Sequence, residues 1–412
     1  MNKISNQTVF VLAIFLWLQA CSDTSTNKAP DPIIPPVNNT PVFSLCDPTA
    51  GTPVFLPVTA VAATTAADFA SGAHALISGD ASGQFSSLNN LDATSSDITV
   101  ATYGNHFYRI ERQGGGNSIT KYAIDAPQTV IWQYSVNETA NPAVLSNPHD
   151  MIFVSETKAY VLRYNKTKVW IVNPSATSEA DFKIGELDLS AYGAVDGTPE
   201  METGFIANGK LYIVLQRLEG VSQQVVNDAY IAVFDVTSDQ EIDVNIPGDA
   251  LKGIPLTVRN PTGIAYLPAS NTLFVQGSGS FFPVKYVGGI ETINLADYTK
   301  DLILDDGDDL SHPYGLITSL AVVSPDLLYF VGYESYRVNT LYAMDIVNKT
   351  ISPVNVSQLI GGQIQNLAVD PQGLLWVSDN ANATVRILNP LSCDELDAVS
   401  TNLNPAKIVF AQ

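Results

Sequence analysis

Residues 261–279 read PTGIAYLPASNTLFVQGSG and decide the fold. Two short apolar runs are separated by Pro, Ser and Asn and closed by Gly and Ser, which predicts two antiparallel strands joined by a tight turn. Five other segments repeat this pattern, with an aromatic residue in the second strand and a third strand after a loop. They span residues 97–124, 149–174, 202–217, 317–335 and 364–390.

The spacing of the repeats predicts the architecture. The aromatic markers are Tyr108, Tyr160, Tyr212, Phe274, Tyr329 and Trp376, which follow one another at intervals of 52, 52, 62, 55 and 47 residues. A period of about 50 residues built from short strands is typical of a β-propeller with four strands in each blade. We therefore predict an all-β protein.

A seventh blade is predicted to be split between the two ends of the folded body. NPAKIVF (residues 404–410) matches a first strand, and AHALISGD (residues 73–80) matches a second strand with Leu76 as its marker. Pairing of the terminal segments removes open sheet edges. Leu76 precedes Tyr108 by only 32 residues, so the blade lacks a strand or borrows one from residues 54–61. A propeller of six or eight blades therefore remains an alternative to seven.

The strands resemble those of YncE-like, YVTN-type propellers. Matching stretches are PTGIA (residues 261–265), LYIV (residues 211–214) and YIAVFD (residues 230–235). The resemblance covers residues 73–412 and is shared with NHL and gluconolactonase-like propellers. It implies the fold strongly and a function weakly. Lipid-anchored members of this group include surface proteins that deliver ligands to outer-membrane transporters. The resemblance therefore also implies this role.

The N-terminus predicts export and lipidation. Residues 1–20 contain an apolar run from Thr8 to Leu18, too short to span a bilayer and typical of a signal peptide. The sequence Leu-Gln-Ala-Cys that ends at Cys21 resembles a lipoprotein lipobox, with a plain secretory signal as the alternative. Ser22 after the cysteine favours the bacterial outer membrane. Residues 21–45 are predicted to form a disordered tether, and residues 46–412 the propeller domain.

Two further cysteines lie near the ends of the propeller domain. In an oxidising compartment Cys46 and Cys393 are predicted to form a disulfide. Such a bond closes a loop of 348 residues and requires the two ends to lie close together. A metal or redox pair is the alternative, although no C-x-x-C motif supports it.

Composition narrows the possible partners. The 412 residues include 41 acidic and 20 basic side chains, which gives a net charge of −21. So acidic a chain repels phosphate, and nucleic acid is excluded as a partner. With 46% hydrophobic and 15% charged residues, the chain is globular rather than disordered.

A binding site is predicted where the loops entering the first strands and the loops following the second strands meet, because these loops open on one face around the channel. Three arginines follow the markers and predict an anion site, with surface ion pairs to Glu111 and Glu219 as the alternative. His149 and His312, which lie beside prolines, are predicted to have a capping or hydrogen-bonding role rather than a role in metal binding or acid–base chemistry. The candidate residues are Arg112, Arg163, Arg217, His149, His312, Tyr314, Phe281, Phe282, Tyr333 and Tyr336.

Aromatic side chains in these loops predict a rim for a flat ligand or a partner protein, with packing of the loops onto the blades as the alternative. Residues 305–309 (DDGDD) suggest Ca²⁺, but without the EF-hand frame a solvated acidic loop is favoured.

No linear catalytic motif occurs, and no catalytic residue, cofactor or metal is predicted. The sequence therefore predicts a binding protein anchored to the membrane through its N-terminal lipid. The alternatives are a metal-dependent gluconolactonase-like hydrolase and a passive envelope scaffold.

Overall fold

The computed structural model describes residues 44–138, 145–220, 222–244 and 249–411. The predicted signal peptide, Cys21 and nearly all of the tether lie outside them. The described chain folds into seven four-stranded antiparallel sheets arranged as a β-propeller. Within these residues no helix is long and apolar enough to cross a membrane. The helices in the described part are four short 3₁₀ turns: η1 (Glu179–Asp181), η2 (Ser190–Tyr192), η3 (Pro268–Ser270) and η4 (Ser357–Leu359).

The strands follow one another blade by blade, and three strands of blade VII come first. These are β1 (Val58–Thr65), β2 (Gly72–Gly79) and β3 (Phe85–Thr94). Blade I contains β4 (Ile98–Tyr103), β5 (His106–Glu111), β6 (Ser118–Ala123) and β7 (Ala126–Ser135). Blade II contains β8 (Pro148–Ser155), β9 (Lys158–Arg163), β10 (Lys168–Val172) and β11 (Lys183–Asp188). Blade III contains β12 (Met201–Ala207), β13 (Lys210–Leu215), β14 (Tyr230–Asp235) and β15 (Ile254–Pro255).

The remaining blades have the same order. Blade IV contains β16 (Pro261–Leu267), β17 (Thr272–Gly277), β20 (Gly289–Asn294) and β21 (Lys300–Asp305), with a small hairpin of β18 (Ser280–Phe281) and β19 (Val284–Lys285) in its loop. Blade V contains β22 (Leu316–Val322), β23 (Leu327–Ser335), β24 (Val338–Asp345) and β25 (Thr350–Pro353). Blade VI contains β26 (Ile364–Val369), β27 (Leu375–Asp379), β28 (Thr384–Leu388) and β29 (Glu395–Ser400), and β30 (Asn404–Phe410) completes blade VII.

The hydrophobic core lies between the blades. Seven clusters of buried side chains each combine residues of two neighbouring blades, so one cluster fills each of the seven interfaces around the ring. The aromatic markers are buried in these clusters. Second strands such as KLYIVL in β13 are apolar on both sides because each side packs against a blade. The first strands contact one another around the channel.

Blade VII corrects one detail of the sequence prediction. β30 pairs with β1, β1 with β2, and β2 with β3. Residues 73–80 therefore belong to a third strand, and β1, close to the predicted borrowed segment, is the second strand. Leu76 is not the equivalent of the aromatic markers, which accounts for its short distance from Tyr108. The blade is complete, and the propeller has seven blades.

The predicted disulfide is confirmed. Cys46 and Cys393 are bonded, with their Cα atoms 4.8 Å apart. Cys393 lies in the turn between β28 and β29, so the bond fastens the segment preceding β1 to blade VI. The Asp47 amide also donates to the Leu391 carbonyl at 2.9 Å. Because β1 belongs to blade VII, these contacts hold blades VI and VII together beside the closure.

A buried charge network lies on the other side of blade VII, at its interface with blade I. The Arg109 guanidinium contacts Glu111 at 2.8 Å and Asp92 at 3.2 Å, and the Tyr122 hydroxyl donates to Asp92. His74 donates from Nε2 to the Pro127 carbonyl at 2.7 Å. Burial lowers the pKa of His74 to about 4. His74 is therefore neutral at physiological pH, and Arg109 is the cation that balances both carboxylates.

Candidate functional site

Two adjoining cavities open where the loops entering the first strands meet the loops following the second strands. We call this side the mouth face. The channel cavity, of about 590 Å³, lies within the ring of first strands, and the groove, of about 480 Å³, extends over the loops of blades I to IV. The two cavities form one continuous site, because they share Arg112, His149, Glu202, Thr262, Ser278 and Phe281.

A repeated backbone irregularity aims side chains into the channel cavity. In six of the seven first strands the pairing register shifts near the mouth face, as at a β-bulge. A bulge leaves an unpaired residue and re-aims its side chain. The residues at these shifts all line the channel cavity and are His149, Glu202, Thr262, Thr318, Gln365, Asn366 and Ala406.

The central polar contact of the site is a chain of three side chains from blades I, II and III. Arg112 Nη2 donates to His149 Nε2 at 2.7 Å, and His149 Nδ1 lies 2.7 Å from Glu202 Oε2. A guanidinium can only donate, so Nε2 accepts and the imidazole proton sits on Nδ1, where it is donated to Glu202. The ring also stacks on Tyr164, with centroids 4.1 Å apart. His149 is thereby fixed in one tautomer and one orientation.

Two carboxylates project into the same space and have opposite pKa shifts. Burial raises the pKa of Asp150 above its ordinary value, although Lys407 and bonds from Thr203 and backbone amides oppose this. For Glu202, burial also acts upward, but His149, Arg112 and Lys407 together hold its pKa below the ordinary value. Glu202 is therefore a stable carboxylate that anchors the imidazole.

The charge of the channel cavity differs in sign from that of the whole chain. The lining of the channel cavity carries Arg112, Arg337 and Lys407 against Asp150 and Glu202, which leaves one net positive charge with His149 neutral. In the adjoining groove, Asp97 lies 3.4 Å from Arg112 and offsets part of this charge at the mouth. The chain as a whole carries −21. A local excess of cations on an acidic body favours an anionic ligand at this place.

Aromatic side chains surround the opening. Phe281 lines both cavities and packs edge-to-face against Tyr333, with centroids 5.2 Å apart. Tyr333 and Tyr336 line the channel cavity, and Phe282 lines the groove. Phe69, which the sequence analysis did not select, also lines the channel cavity. These rings give the polar site an apolar rim.

The three predicted arginines do not come together in the structure. Arg163 is fully buried, stacks over Trp170 at 4.3 Å and contacts Glu138 at 3.0 Å. Arg217 donates to the Tyr192 and Asp228 carbonyls, both at 2.9 Å. Neither lines a cavity. Arg163 is still part of β9, and Arg217, two residues past β13, is held by backbone carbonyls, whereas Arg112 directly follows β5. Arg112 is the one of the three that reaches the mouth.

His312 and Tyr314 also lie outside both cavities. The His312 ring stacks on Tyr286 at 4.1 Å, and its Nδ1 lies 2.9 Å from the Asp308 carbonyl. Tyr314 packs edge-to-face against Phe330 and Tyr342. Both residues order the loop between blades IV and V and make no contact with the site.

Residues 305–309 form an ordered acidic loop. The Asp305 carboxylate accepts from the Gly307 amide at 2.9 Å, and Asp308 accepts from the Leu310 and Ser311 amides at 2.8 and 2.9 Å. Asp306 turns inward and accepts from Gly288. In the described part of the chain, no group of three or more His, Cys, Asp or Glu side chains is arranged to hold a metal ion.

Five charged site residues were not selected by sequence reasoning: Asp97, Asp150, Glu202, Arg337 and Lys407. A signal for Asp150 and Lys407 exists in the repeats, since NPHD, NPTG and NPAK align at residues 147–150, 260–263 and 404–407. The fourth position of this alignment holds Asp150, Gly263 and Lys407, all of which line the channel cavity.

Glu200, in the loop entering β12, gives a test of electrostatics beside the site. Burial raises its pKa from 4.5 to about 7, and Asp196 and Glu219 add to the shift. A carboxyl group with a raised folded-state pKa destabilises the fold progressively as pH rises from its unfolded-state pKa to its folded-state pKa, here from 4.5 to about 7. We expect Glu200→Gln to raise the free energy of unfolding at pH 8 by up to about 3 kcal/mol and to leave it unchanged at pH 4. Thermal melts at both pH values measure this.

The matched control is Glu219→Gln, which removes a neighbouring carboxylate that is half-buried and hydrogen-bonded to Asn227. It should produce a smaller gain at pH 8, because it removes only the contribution of Glu219 to the raised pKa of Glu200. Equal stability of Glu200→Gln and the unmodified protein at pH 8 would contradict the assignment.

The fold and the site together define a seven-bladed β-propeller with a charged, aromatic-rimmed cavity at its channel mouth. The sequence matches no protein-family model and no curated protein. Among solved structures it is similar to a candidate 6-phosphogluconolactonase from Bacteroides fragilis, with 11% identity over 88% of this chain and 100% of that chain and a TM-score of 0.58.

A protein from Lactobacillus plantarum is similar to the same degree, with 12% identity over 87% of this chain and 100% of that chain and a TM-score of 0.58. Hydrazine synthase from Kuenenia stuttgartiensis is similar over 71% of this chain and 76% of that chain, with 13% identity and a TM-score of 0.50. At identities this low, the structural similarity shows the propeller fold alone. The resemblance to YncE-like propellers stays a prediction.

Proposed function

We propose that this protein is a lipid-anchored envelope protein that binds a small anionic ligand with a flat apolar part at its channel mouth. The observation that carries the proposal is the shared wall of the two cavities. There, Arg112 and the His149–Glu202 pair lie beside the Phe281 ring. Arg112 is about one-third exposed; its Nη2 donates to His149 and its Nε lies 3.4 Å from Asp97 Oδ1, but its Nη1 makes no hydrogen bond or ion pair with the described residues. It therefore has donor capacity left for a carboxylate.

Isothermal titration calorimetry with benzoate tests the proposal, because benzoate combines a carboxylate with a flat ring. We expect Arg112→Met to weaken benzoate binding about tenfold or more, since a charge-assisted hydrogen bond is lost. Arg259→Met is the matched control. Arg259 contacts Asp228 at 2.5 Å in another mouth-face loop and lines neither cavity. Equal affinities of the two variants, or no binding to the unmodified protein, would refute the proposal.

Anchoring at the outer membrane through Cys21 is part of the same proposal and is supported by the sequence alone. Metabolic labelling with a fatty-acid analogue, followed by membrane fractionation, tests it. Cys21→Ser should lose both the label and the membrane association. A labelled Cys21→Ser variant would refute it.

A docking function is a second candidate, supported by exposed apolar side chains on the mouth face. Phe282 and Leu310 are 87% and 95% exposed, and Tyr336 and Phe69 are also exposed. Such residues around a binding cavity are typical of protein contact surfaces. We propose an outer-membrane transporter as the partner.

A photo-crosslinking amino acid at position 282 should crosslink to an integral outer-membrane protein in cells. The control position is Val347, which is 67% exposed in a turn on the opposite face of the propeller. Equal crosslinking from both positions would contradict docking through the mouth face.

A metal-dependent hydrolase has less support than either candidate. Both oxygens of Asp150 accept protein hydrogen bonds, and Glu202 holds His149. Lys407 influences both carboxylates electrostatically. Both oxygens of Asp150 and Oε2 of Glu202 are therefore committed to protein partners.

A further inference from the structure

Lys407 is a cation in the channel with unused hydrogen-bonding capacity. It lies on β30, its side chain is exposed, and it lines the channel cavity. Among the described residues its ammonium group makes no hydrogen bond and no ion pair. An ammonium group has three donors, all of which remain available to a ligand.

The acidic neighbours of Lys407 are held by other groups. Asp150 Oδ2 accepts from Thr203 Oγ1 at 2.8 Å and from the Gly204 amide at 3.3 Å, while Oδ1 accepts from the Met151 amide at 2.8 Å. Glu202 Oε2 is taken by His149. These carboxylates moderate the charge of Lys407 from a distance without occupying its ammonium group.

Arg112 and Lys407 lie at different depths of one cavity. Arg112 follows β5 directly at the mouth face, whereas Lys407 is the fourth residue of β30, whose first residue, Asn404, lies at that face. Three residues of a regular strand extend about 10 Å, and the bulge at Ala406 makes the span from Asn404 to Lys407 shorter than that. The two cations are therefore placed to contact separate groups of a ligand rather than one.

We propose that the channel cavity takes a small dianion, such as a dicarboxylate, with one anionic group at Arg112 and the other at Lys407. The inference rests on the proposed binding function and adds the second charge of the ligand. Neutral polar residues of blades IV to VI line the same cavity and suit the polar middle of such a molecule; they are Thr262, Thr318, Gln365 and Asn366. Binding two charges at separate cations provides selectivity against monoanions.

The test compares terephthalate with 4-methylbenzoate, which has the same shape and one carboxylate fewer. Calorimetry is performed on the full-length protein purified in detergent. We expect terephthalate to bind at least about tenfold more tightly than 4-methylbenzoate. Lys407→Met should remove this difference by weakening terephthalate binding much more than 4-methylbenzoate binding. Lys407→Arg should restore part of the difference.

Lys285→Met is the matched control, since Lys285 is an exposed mouth-face lysine that lines neither cavity. It should keep the full preference for terephthalate, and thermal melts should show that all the variants are folded. Equal affinity of the unmodified protein for both ligands, or equal weakening of both by Lys407→Met, would overturn the dianion proposal alone. Failure of both ligands to bind would overturn the proposed binding function as well.

Discussion

Replacing Cys46 and Cys393 together by alanine is expected to lower the free energy of unfolding by up to about 5 kcal/mol. The bond closes 348 residues, so its removal frees nearly the whole propeller in the unfolded state. Equilibrium denaturation with and without a reducing agent measures the loss. Because Cys393 lies in a turn on the face opposite the mouth, benzoate affinity at low denaturant should not change.

The reduced unmodified protein is the control for this experiment, and it should match the double variant. A double variant as stable as the oxidised protein would show that the contacts of Asp47 and Leu391 fasten the segment without the covalent bond. That result would contradict the expected contribution of the disulfide.

Arg109→Met is expected to destabilise the protein by about 3–5 kcal/mol, because Glu111 and Asp92 would lose their shared cation at the interface of blades VII and I. Arg109 is 4% exposed and Glu111 is 2% exposed, so solvent cannot replace the lost contacts. Denaturant unfolding followed by tryptophan fluorescence measures the change. Amide exchange should rise first in β3 and β5.

Arg259→Met provides the comparison, since its contact with Asp228 is solvent-exposed and should contribute less than about 1 kcal/mol. The double variant Arg109→Met with Glu111→Gln should recover part of the lost free energy of unfolding, because it removes one of the two carboxylates left without a cation. Equal stability of the Arg109 and Arg259 variants would contradict a structural role for the network.

The propeller could be predicted because its signals are local. Each blade repeats a strand, a turn and an aromatic marker within a few tens of residues, and these markers occupy the interfaces between blades. The second strand of blade VII escaped recognition because VTAVAATT in β1 has no aromatic residue. Its identity depends on pairing with β30 across the closure, a contact between residues more than 300 positions apart.

The site was predicted only in part because side-chain direction depends on exact register. Arg112, His149, Phe281, Phe282, Tyr333 and Tyr336 line the cavities, whereas Arg163, Arg217, His312 and Tyr314 turn to protein partners. A shift of one residue along a strand turns a side chain to the opposite face of the sheet. The bulges that aim Glu202 and Thr262 inward are backbone features with no residue-type signal.

The repeated bulges also have a consequence for engineering. Because the backbone irregularity recurs in six blades, it separates the positions that face the lumen from those that hold the blades together. Thr262 and Thr318 are therefore positions where new acids, bases or metal ligands can be installed without repacking the interior. The propeller can therefore serve as a scaffold in which the lumen-facing residue of each blade is substituted independently of the others.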